Sequence, residues 1–376
     1  MQNPGVPHRS VMTGLPFSLL RRSLLLAGLS RAAGVSALPA HPLVFPRDFG
    51  AHPELRTEWW YITGHAHSGG RLFGFQLTFF RSRVDATQSM VSRLAARQLI
   101  FAHAAVTDVQ GKRLWHDQRI ARVSGDPQID QAHAREHDTD IALRDWTLRR
   151  EPGTPHRYQA RLRAQDFELA LQFTAQQPVL LQGEQGLSRK GPQPAQASYY
   201  YSEPQLAVQG HLQLQGQRHM IAPGAVAWLD HEWSEALLHP DAVGWDWIGI
   251  NLFDGSALTA FRLRDREGQA LWDGGSFRPA PGNAPARIFR RGETHFEALR
   301  HWTSPLSQAR YPVEWRVQTP AGHYTLRALL DNQELDSRSS TGAIYWEGLS
   351  ELYDTQGRPV GRGYLEMTGY ANALRL

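Results

Sequence analysis

Apolar residues in this chain recur at every second position, in many short runs separated by turn-forming residues, and no long stretch carries a helical period. Trp59, Tyr61, Thr63 and His65 alternate with Trp60, Ile62 and Gly64. Ser68-Gly69-Gly70 supplies a turn, and Phe73, Phe75, Leu77 and Phe79 line one face of the run that follows. Tyr158, Ala160 and Leu162 precede a second such run at Phe167, Leu169, Leu171 and Phe173. Residues 245–252 and 258–263 flank Asp254-Gly255, 313–317 and 324–330 flank Pro320-Ala321-Gly322, and 344–353 and 363–370 flank Gln356-Gly357-Arg358-Pro359. A side-chain period of two with close turns predicts an all-β fold of barrels or sandwiches. Residues 88–97 read either as one short helix or as a loop across a barrel mouth.

The length of 376 residues suits two domains, and the turn signal Ile221-Ala222-Pro223-Gly224 places their boundary, giving 45–224 and 225–376. Both halves open on a Trp-rich run, Glu58-Trp59-Trp60 and Asp246-Trp247, which suggests distant duplicates. Twelve Trp and fifteen Phe favour strands and ligand-contacting walls.

The net charge of +4 comes entirely from Arg9, Arg21, Arg22 and Arg31, in a stretch of forty residues without Asp or Glu. The rest of the chain is balanced, so no basic surface argues for nucleic acid or an anionic bilayer as the main partner. The absence of Cys excludes disulfides, thiolate metal sites, Cys nucleophiles and a lipidated N-terminal Cys. Arg21-Arg22 before the apolar run Leu24-Leu25-Leu26, with Ala37-Leu38-Pro39-Ala40 offering small residues at a cleavage point, reads as a twin-arginine export signal over 1–40. Leu20 stands where Ser or Thr is usual and Arg31 interrupts the apolar run; the competing reading is a basic tail on a cytosolic protein. The run is too short for a permanent membrane span.

Three stretches are denser in Trp, His and carboxylates than a plain β core needs: His52 to Tyr61, Ala197 to Ser202, and Trp228-Leu229-Asp230-His231-Glu232-Trp233 with Gly244-Trp245-Asp246-Trp247. If 228–233 is a strand, Leu229, His231 and Trp233 share one face and Trp228, Asp230 and Glu232 the other, so Asp230 and His231 do not act as a direct pair.

With these stretches the chain resembles the AttH and carotenoid 1,2-hydratase (CrtC-type) lipocalin-like proteins, a group labelled predicted secreted hydrolases. The resemblance rests on Glu58-Trp59-Trp60-Tyr61, the run Gly74 to Arg81, Ala102-His103-Ala104-Ala105, Leu181-Gln182-Gly183, Tyr199 to Ser202, Asp230 to Trp233, Gly244 to Trp247, Tyr345 to Gly348 and Gly363 to Tyr370. It implies two lipocalin-like β-barrel domains without a metal or an organic cofactor, and a hydrophobic small molecule as partner. The hydratases of the family use a His-x-Trp element, matched by His231 and Trp233, and a Tyr-x-Asp element about one hairpin later. The corresponding Leu258-Thr259-Ala260 holds neither group.

Hydrating an alkene requires an acid that protonates carbon and a water that traps the cation, which aromatic faces stabilise. His231, Trp233, Asp230, Glu232 and Asp246 are the candidate catalytic residues, and Tyr199, Tyr200, Tyr201, Trp245 and Trp247 the candidate ligand contacts. Hydrolysis has less support: no Gly-x-Ser-x-Gly elbow is present, and Ser198 and Ser202 stand beside tyrosines only by composition. His65 and His67 share a strand face without a third metal ligand spaced with them. Structural readings compete at several positions. Glu58 with Arg56 reads as an ion pair under a barrel floor plugged by Trp59 or Trp60. Asp230 to Trp233 reads equally as buried polar groups at the interface of two barrels. Glu366 is expected to pair with an Arg such as Arg81, Tyr345 to Glu347 to form core wall with one salt-bridge anchor, and His103 to be a satisfied core histidine. A non-catalytic periplasmic carrier of a lipophilic molecule needs the same pocket without the acid.

Overall fold

The computed structural model describes residues 37–281 and 284–374. The export-signal reading of 1–40 therefore lies almost wholly outside the described residues. Apart from the 3-10 turns Arg47–Phe49 and Asp85–Thr87, the regular elements are strands. In chain order they are β1 (Thr57–Ser68), β2 (Arg71–Arg83), β3 (Gln98–Asp108), β4 (Arg113–Val123), β5 (Ala132–Ala134), β6 (Asp140–Leu143), β7 (Trp146–Glu151), β8 (Arg157–Arg163), β9 (Phe167–Thr174), β10 (Leu180–Leu181), β11 (Leu187–Arg189) and β12 (Ala197–Leu214). Then follow β13 (Gln217–Met220), β14 (Val226–Ala236), β15 (Gly244–Leu252), β16 (Ala257–Arg264), β17 (Ala270–Arg278), β18 (Arg287–Phe289), β19 (His295–Thr303), β20 (Arg310–Thr319), β21 (Gly322–Ala328), β22 (Glu334–Ser337), β23 (Ala343–Tyr353) and β24 (Pro359–Met367).

These strands make two antiparallel sheets, as the alternating pattern predicts. The first has fourteen strands and runs β4-β3-β2-β1-β14-β12-β9-β8-β7-β6-β5, with β10, β11 and β13 on β12. Its two ends, β4 and β5, are consecutive in sequence and come back into contact, so the sheet curls into a nearly closed lipocalin-like barrel. The second has ten strands in the order β18-β17-β16-β15-β24-β23-β21-β20-β19, with β22 on β23. Its ends, β18 and β19, are again neighbours in sequence. The hairpin β1–β2 turns through Gly69 and Gly70, both with positive φ (55° and 79°), the conformation of a tight hairpin turn that only glycine adopts freely.

The passage between sheets falls at 237–243, later than the turn at Pro223-Gly224. That turn only interrupts the chain between β13 and β14, which follow one another in the same direction along β12, and β14 pairs with β1 from Thr57↔Ser234 to His65↔Val226. It is a central strand of the first sheet, because Ala227, Leu229 and Trp233 fill the first barrel's core. Residues 88–97 form a loop rather than a helix.

The strand period sorts side chains into three layers. Trp60, Ile62, Phe73, Phe75, Leu77 and Phe79 belong to the first core. Ile248, Ile250, Trp315 and Trp346 belong to the second. Tyr61, Trp228, Trp247, Phe261, Leu349 and Tyr364 form a third cluster drawn from both sheets. Among the fully buried indoles Trp60 donates to the Phe49 carbonyl and Trp146 to that of Arg163, whereas the Trp315 N–H is left without a partner. No helix among the described residues is long and apolar enough to cross a membrane.

Candidate active site between the two sheets

Strand parity divides the predicted residues. On β14, His231 and Trp233 point into the first barrel, whereas Trp228, Asp230 and Glu232 point out of it. On β12, which pairs Tyr199 with Trp233, Tyr200 with Glu232 and Tyr201 with His231, only Tyr200 points out. On β15, Trp245 and Trp247 face the first sheet while Asp246 enters the second barrel. A cavity of about 320 Å³ lies between the sheets. Asp230, Glu232, Tyr200, Trp245 and Trp247 line it, and His231, Trp233, Tyr199, Tyr201 and Asp246 do not.

His231 belongs instead to a closed polar network inside the first barrel. The register sets Glu58 directly opposite Arg81, and this Arg, not Arg56, is its ion-pair partner. Glu58 Oε2 accepts from Arg81 Nε at 2.7 Å and from the His52 backbone N–H at 2.9 Å. Its Oε1 meets His52 Nδ1 at 2.8 Å and His231 Nε2 at 2.9 Å. The remaining Arg81 donors reach the carbonyls of His52 and Leu55 and the side chain of Gln98. Burial works to raise the Glu58 carboxyl, but the two histidines and Arg81 outweigh it and hold the group well below the usual carboxylate range. Burial lowers His231 to about 4, so its imidazole is neutral. The rings are fixed by stacking: His52 lies 4.0 Å from Trp233 at 3°, and His231 lies 4.5 Å from Trp60 at 21°. His52, Glu58 and His231 offer donor atoms within 4.8 Å of one another. The set does not fit a metal ion, because both carboxylate oxygens already accept N–H donors and a guanidinium occupies the cation's place.

Asp246 repeats this arrangement in the second barrel. It stands opposite Arg262 in register, bonds Arg262 Nε at 2.7 Å, and accepts from the Tyr370 hydroxyl at 2.9 Å. It is a structural anchor rather than a cavity residue. Leu258 and Ala260 pack in the second core and Thr259 donates to the Ile248 carbonyl, so this segment is filled by packing.

The cavity holds acids that the sequence reading assigned elsewhere. Glu347 on β23 and Glu366 on β24 are direct cross-strand neighbours, and both line the space. Glu366 does not meet Arg81; it accepts from the Trp245 indole N–H at 3.0 Å. Among the described residues Glu347 forms no ion pair, and its Oε1 and the adjacent Tyr61 hydroxyl are buried without hydrogen-bond partners. Burial, reinforced by charge on Glu366, pushes the Glu347 carboxyl well above its ordinary value. Burial, reinforced by Asp230 and Glu232, pushes Glu366 up to about 7 against the pull of the Trp245 indole. The pair therefore holds a proton at neutral pH.

Asp230 is the third acid. Burial lifts it to about 7, against donors from Ser202 at 2.5 Å, Trp228 at 2.7 Å and Tyr200 at 2.8 Å. Tyr200 in turn accepts from the Trp247 indole at 3.3 Å. Glu232 meets the Lys190 ammonium at 3.0 Å and the Ser198 hydroxyl at 2.5 Å. Ser198 and Ser202 thus hold carboxyls. His103 is satisfied, as expected, but by the other sheet: its ring meets the Tyr345 hydroxyl and Ser340 Oγ, each at 2.8 Å.

A family model described as AttH-like matches residues 36–370. A crystal structure assigned as an AttH, from Nitrosomonas europaea, is 45% identical with a TM-score of 0.80, over 89% of this chain and 99% of that one. Kievitone hydratase from Nectria haematococca has a TM-score of 0.67 at 14% identity, over 90% of this chain and 96% of its own. CghA with Sch210972 has a TM-score of 0.53 at 14% identity, over 83% and 88%. The last two likenesses concern the fold alone. No curated protein matches the chain.

Proposed function

The chain belongs to the AttH-like family, and from that premise we propose that it is a hydratase-type enzyme that adds water to, or removes it from, a double bond of a hydrophobic, isoprenoid-like molecule held between the two sheets. The observation that carries this reading is the buried Glu347–Glu366 pair in a cavity walled by Trp59, Trp245 and Trp247. An acid strong enough to protonate carbon must be kept un-ionised until it acts, and an apolar, water-poor site does that for a carboxyl. The Glu347 proton passes to one alkene carbon. The cation left on the more substituted carbon faces indole rings, whose negative π-faces stabilise it. Water then attacks that carbon, and its proton returns to the carboxyl pair. The sum is addition of H and OH, with the acid restored.

The shared fold with kievitone hydratase, by name a hydratase, supports the reaction class by analogy. Export through a twin-arginine signal over 1–40 and a periplasmic location are part of the same proposal, supported by Arg21-Arg22 and Ala37 to Ala40. A non-catalytic carrier is the second reading, favoured by the apolar packing of Leu258 and Ala260 where the hydratases carry Tyr and Asp. Incubation with isoprenoid alkenes in ¹⁸O-water separates the two. The enzyme yields an alcohol carrying ¹⁸O, and E347Q does not; a wild-type protein that binds the alkene and returns it unchanged is a carrier.

A further inference from the structure

The inter-sheet cavity has a cationic pole as well as an acidic one. Lys190 directly follows β11, and its side chain is buried and lines the cavity. The ammonium sits 3.0 Å from Glu232 Oε1. It also lies 4.2 Å from the ring centroid of Phe261 and 4.9 Å from that of Tyr200. An ammonium carries three N–H donors and no acceptor. Glu232 takes one of them, while the two ring faces offer cation–π attraction but no lone pair. A buried ammonium with unfilled donors is costly, and here the open side is the cavity.

The charges around Lys190 define what can fill that place. Glu232 already neutralises it, and Asp230, Glu366 and Glu347 line the same space. A carboxylate or phosphate on the ligand would add a second anion beside a Lys190 that Glu232 already neutralises, whereas a neutral oxygen accepts from Lys190 without adding buried charge. Lys190 belongs to the first sheet's side of the cavity and Glu347 to the second. A molecule held at Lys190 by an oxygen function can extend its apolar body across the cavity toward Glu347.

We propose that Lys190 is a ligand-orienting residue that binds a hydroxyl or carbonyl oxygen, so that the substrate class is a neutral, oxygen-bearing unsaturated isoprenoid rather than a hydrocarbon polyene. This rests on the cavity being the ligand site, as argued above. It adds polarity at one end, and with it the direction in which the double bond is presented to Glu347.

The test titrates wild-type protein with farnesol and with its deoxy counterpart 2,6,10-trimethyldodeca-2,6,10-triene, which share a carbon skeleton and three double bonds and differ by the oxygen, following the emission of the cavity tryptophans. The expected result is at least tenfold tighter binding of farnesol by the wild type, with K190M losing that preference. Because K190M leaves Glu232 buried without its cation, the double variant K190M/E232Q is measured beside it and is expected to lose the preference equally. Equal binding of both probes by the wild type, or a preference retained in both variants, overturns the assignment of Lys190 while leaving the cavity as the ligand site. Binding of neither probe overturns the ligand site itself, and the inference with it.

Discussion

Glu347 and Glu366 face one another across adjacent antiparallel strands with no cation between them, one bonded to an indole N–H and the other with an oxygen left without a partner. Two carboxylates cannot both stay charged there at neutral pH, since each raises the cost of ionising the other and burial raises it for both. A fold selected only for stability would place apolar residues at two such positions. Their presence in the cavity wall is what the proposed hydration chemistry rests on.

On the proposed hydratase reading the same pair makes turnover sensitive to alkali. Turnover by wild-type protein falls as pH rises through the apparent titration of the pair, because the acid that starts the reaction is lost. E347Q lowers turnover by a factor on the order of 100 or more. E366Q retains part of it, with its alkaline limb moved, since removing the neighbouring charge changes how readily Glu347 ionises. A pH–rate profile of the three proteins reads this directly.

Stability falls with rising pH as well. Glu366 is raised from 4.5 to about 7 in the folded state, so folding favours its protonated form. The wild type therefore loses stability as pH rises from 4.5 to the folded value, and the cost is complete above it. E366Q removes an ionisation penalty of roughly 3 kcal/mol at pH 8, a conversion at about 1.4 kcal/mol per pH unit. Losing the indole hydrogen bond offsets part of that gain. Thermal melts are expected to show E366Q stabilised relative to wild type at pH 8, and the difference gone at pH 4.

Inside the first barrel the sign is reversed. Glu58 is lowered below 4.5, so its contribution to stability is present above that pH and lost as pH falls through its folded value. For His52, burial opposes protonation but the Asp48 and Glu58 carboxylates outweigh it, so its value is raised from 6.5. Its contribution is present below 6.5 and lost as pH rises through the folded value. His231, lowered by burial from 6.5 to about 4, costs stability as pH falls below 6.5, so the network is strongest near pH 6.5, the upper end of the range in which Glu58 is charged and His52 protonated. E58Q leaves Arg81 buried without its counter-charge, at a cost of about 3–5 kcal/mol, and denaturant titrations across pH should find that cost greatest near that pH.

His231 separates structure from chemistry. It touches Glu58, Tyr201, Trp60 and Trp233 but does not line the cavity. H231A is expected to lower the unfolding midpoint while leaving ligand affinity within about twofold of wild type, as befits a site read at a distance. Loss of ligand binding by a protein of undiminished stability would place His231 in the site instead.

Much of this arrangement is legible in the chain. Alternation of apolar residues identifies the strands, and on 228–233 it separates Asp230 from His231 correctly, because a strand cannot present neighbours to one side. The likeness of the two Trp-rich runs also has structural content: Glu58 opposite Arg81 and Asp246 opposite Arg262 are equivalent places in two hairpins, and Trp59 and Trp247 next to them both reach the cavity. The partner of Glu366 was open to reading too. Strands at 343–353 and 359–367 close about Gln356-Gly357, and counting outward from that turn brings 347 opposite 366. What local pattern does not carry is which sheet a strand joins. Pro223-Gly224 signals a break in the chain, and a break looks the same whether the next strand stays in the sheet or leaves it. The stacking of one sheet on another, which turns four separate carboxyls into a single acidic wall, depends on contacts between residues more than a hundred positions apart.

Whether the cavity keeps a carboxyl protonated in neutral water is read from infrared spectroscopy of the carboxylic C=O stretch. At pH 7 the wild-type protein should show a band from buried, un-ionised carboxylic acid that weakens in E347Q and falls in E347Q/E366Q to the remainder contributed by Asp230, which D230N removes. A wild-type spectrum without that band, or one that the double variant leaves unaltered, would contradict the account.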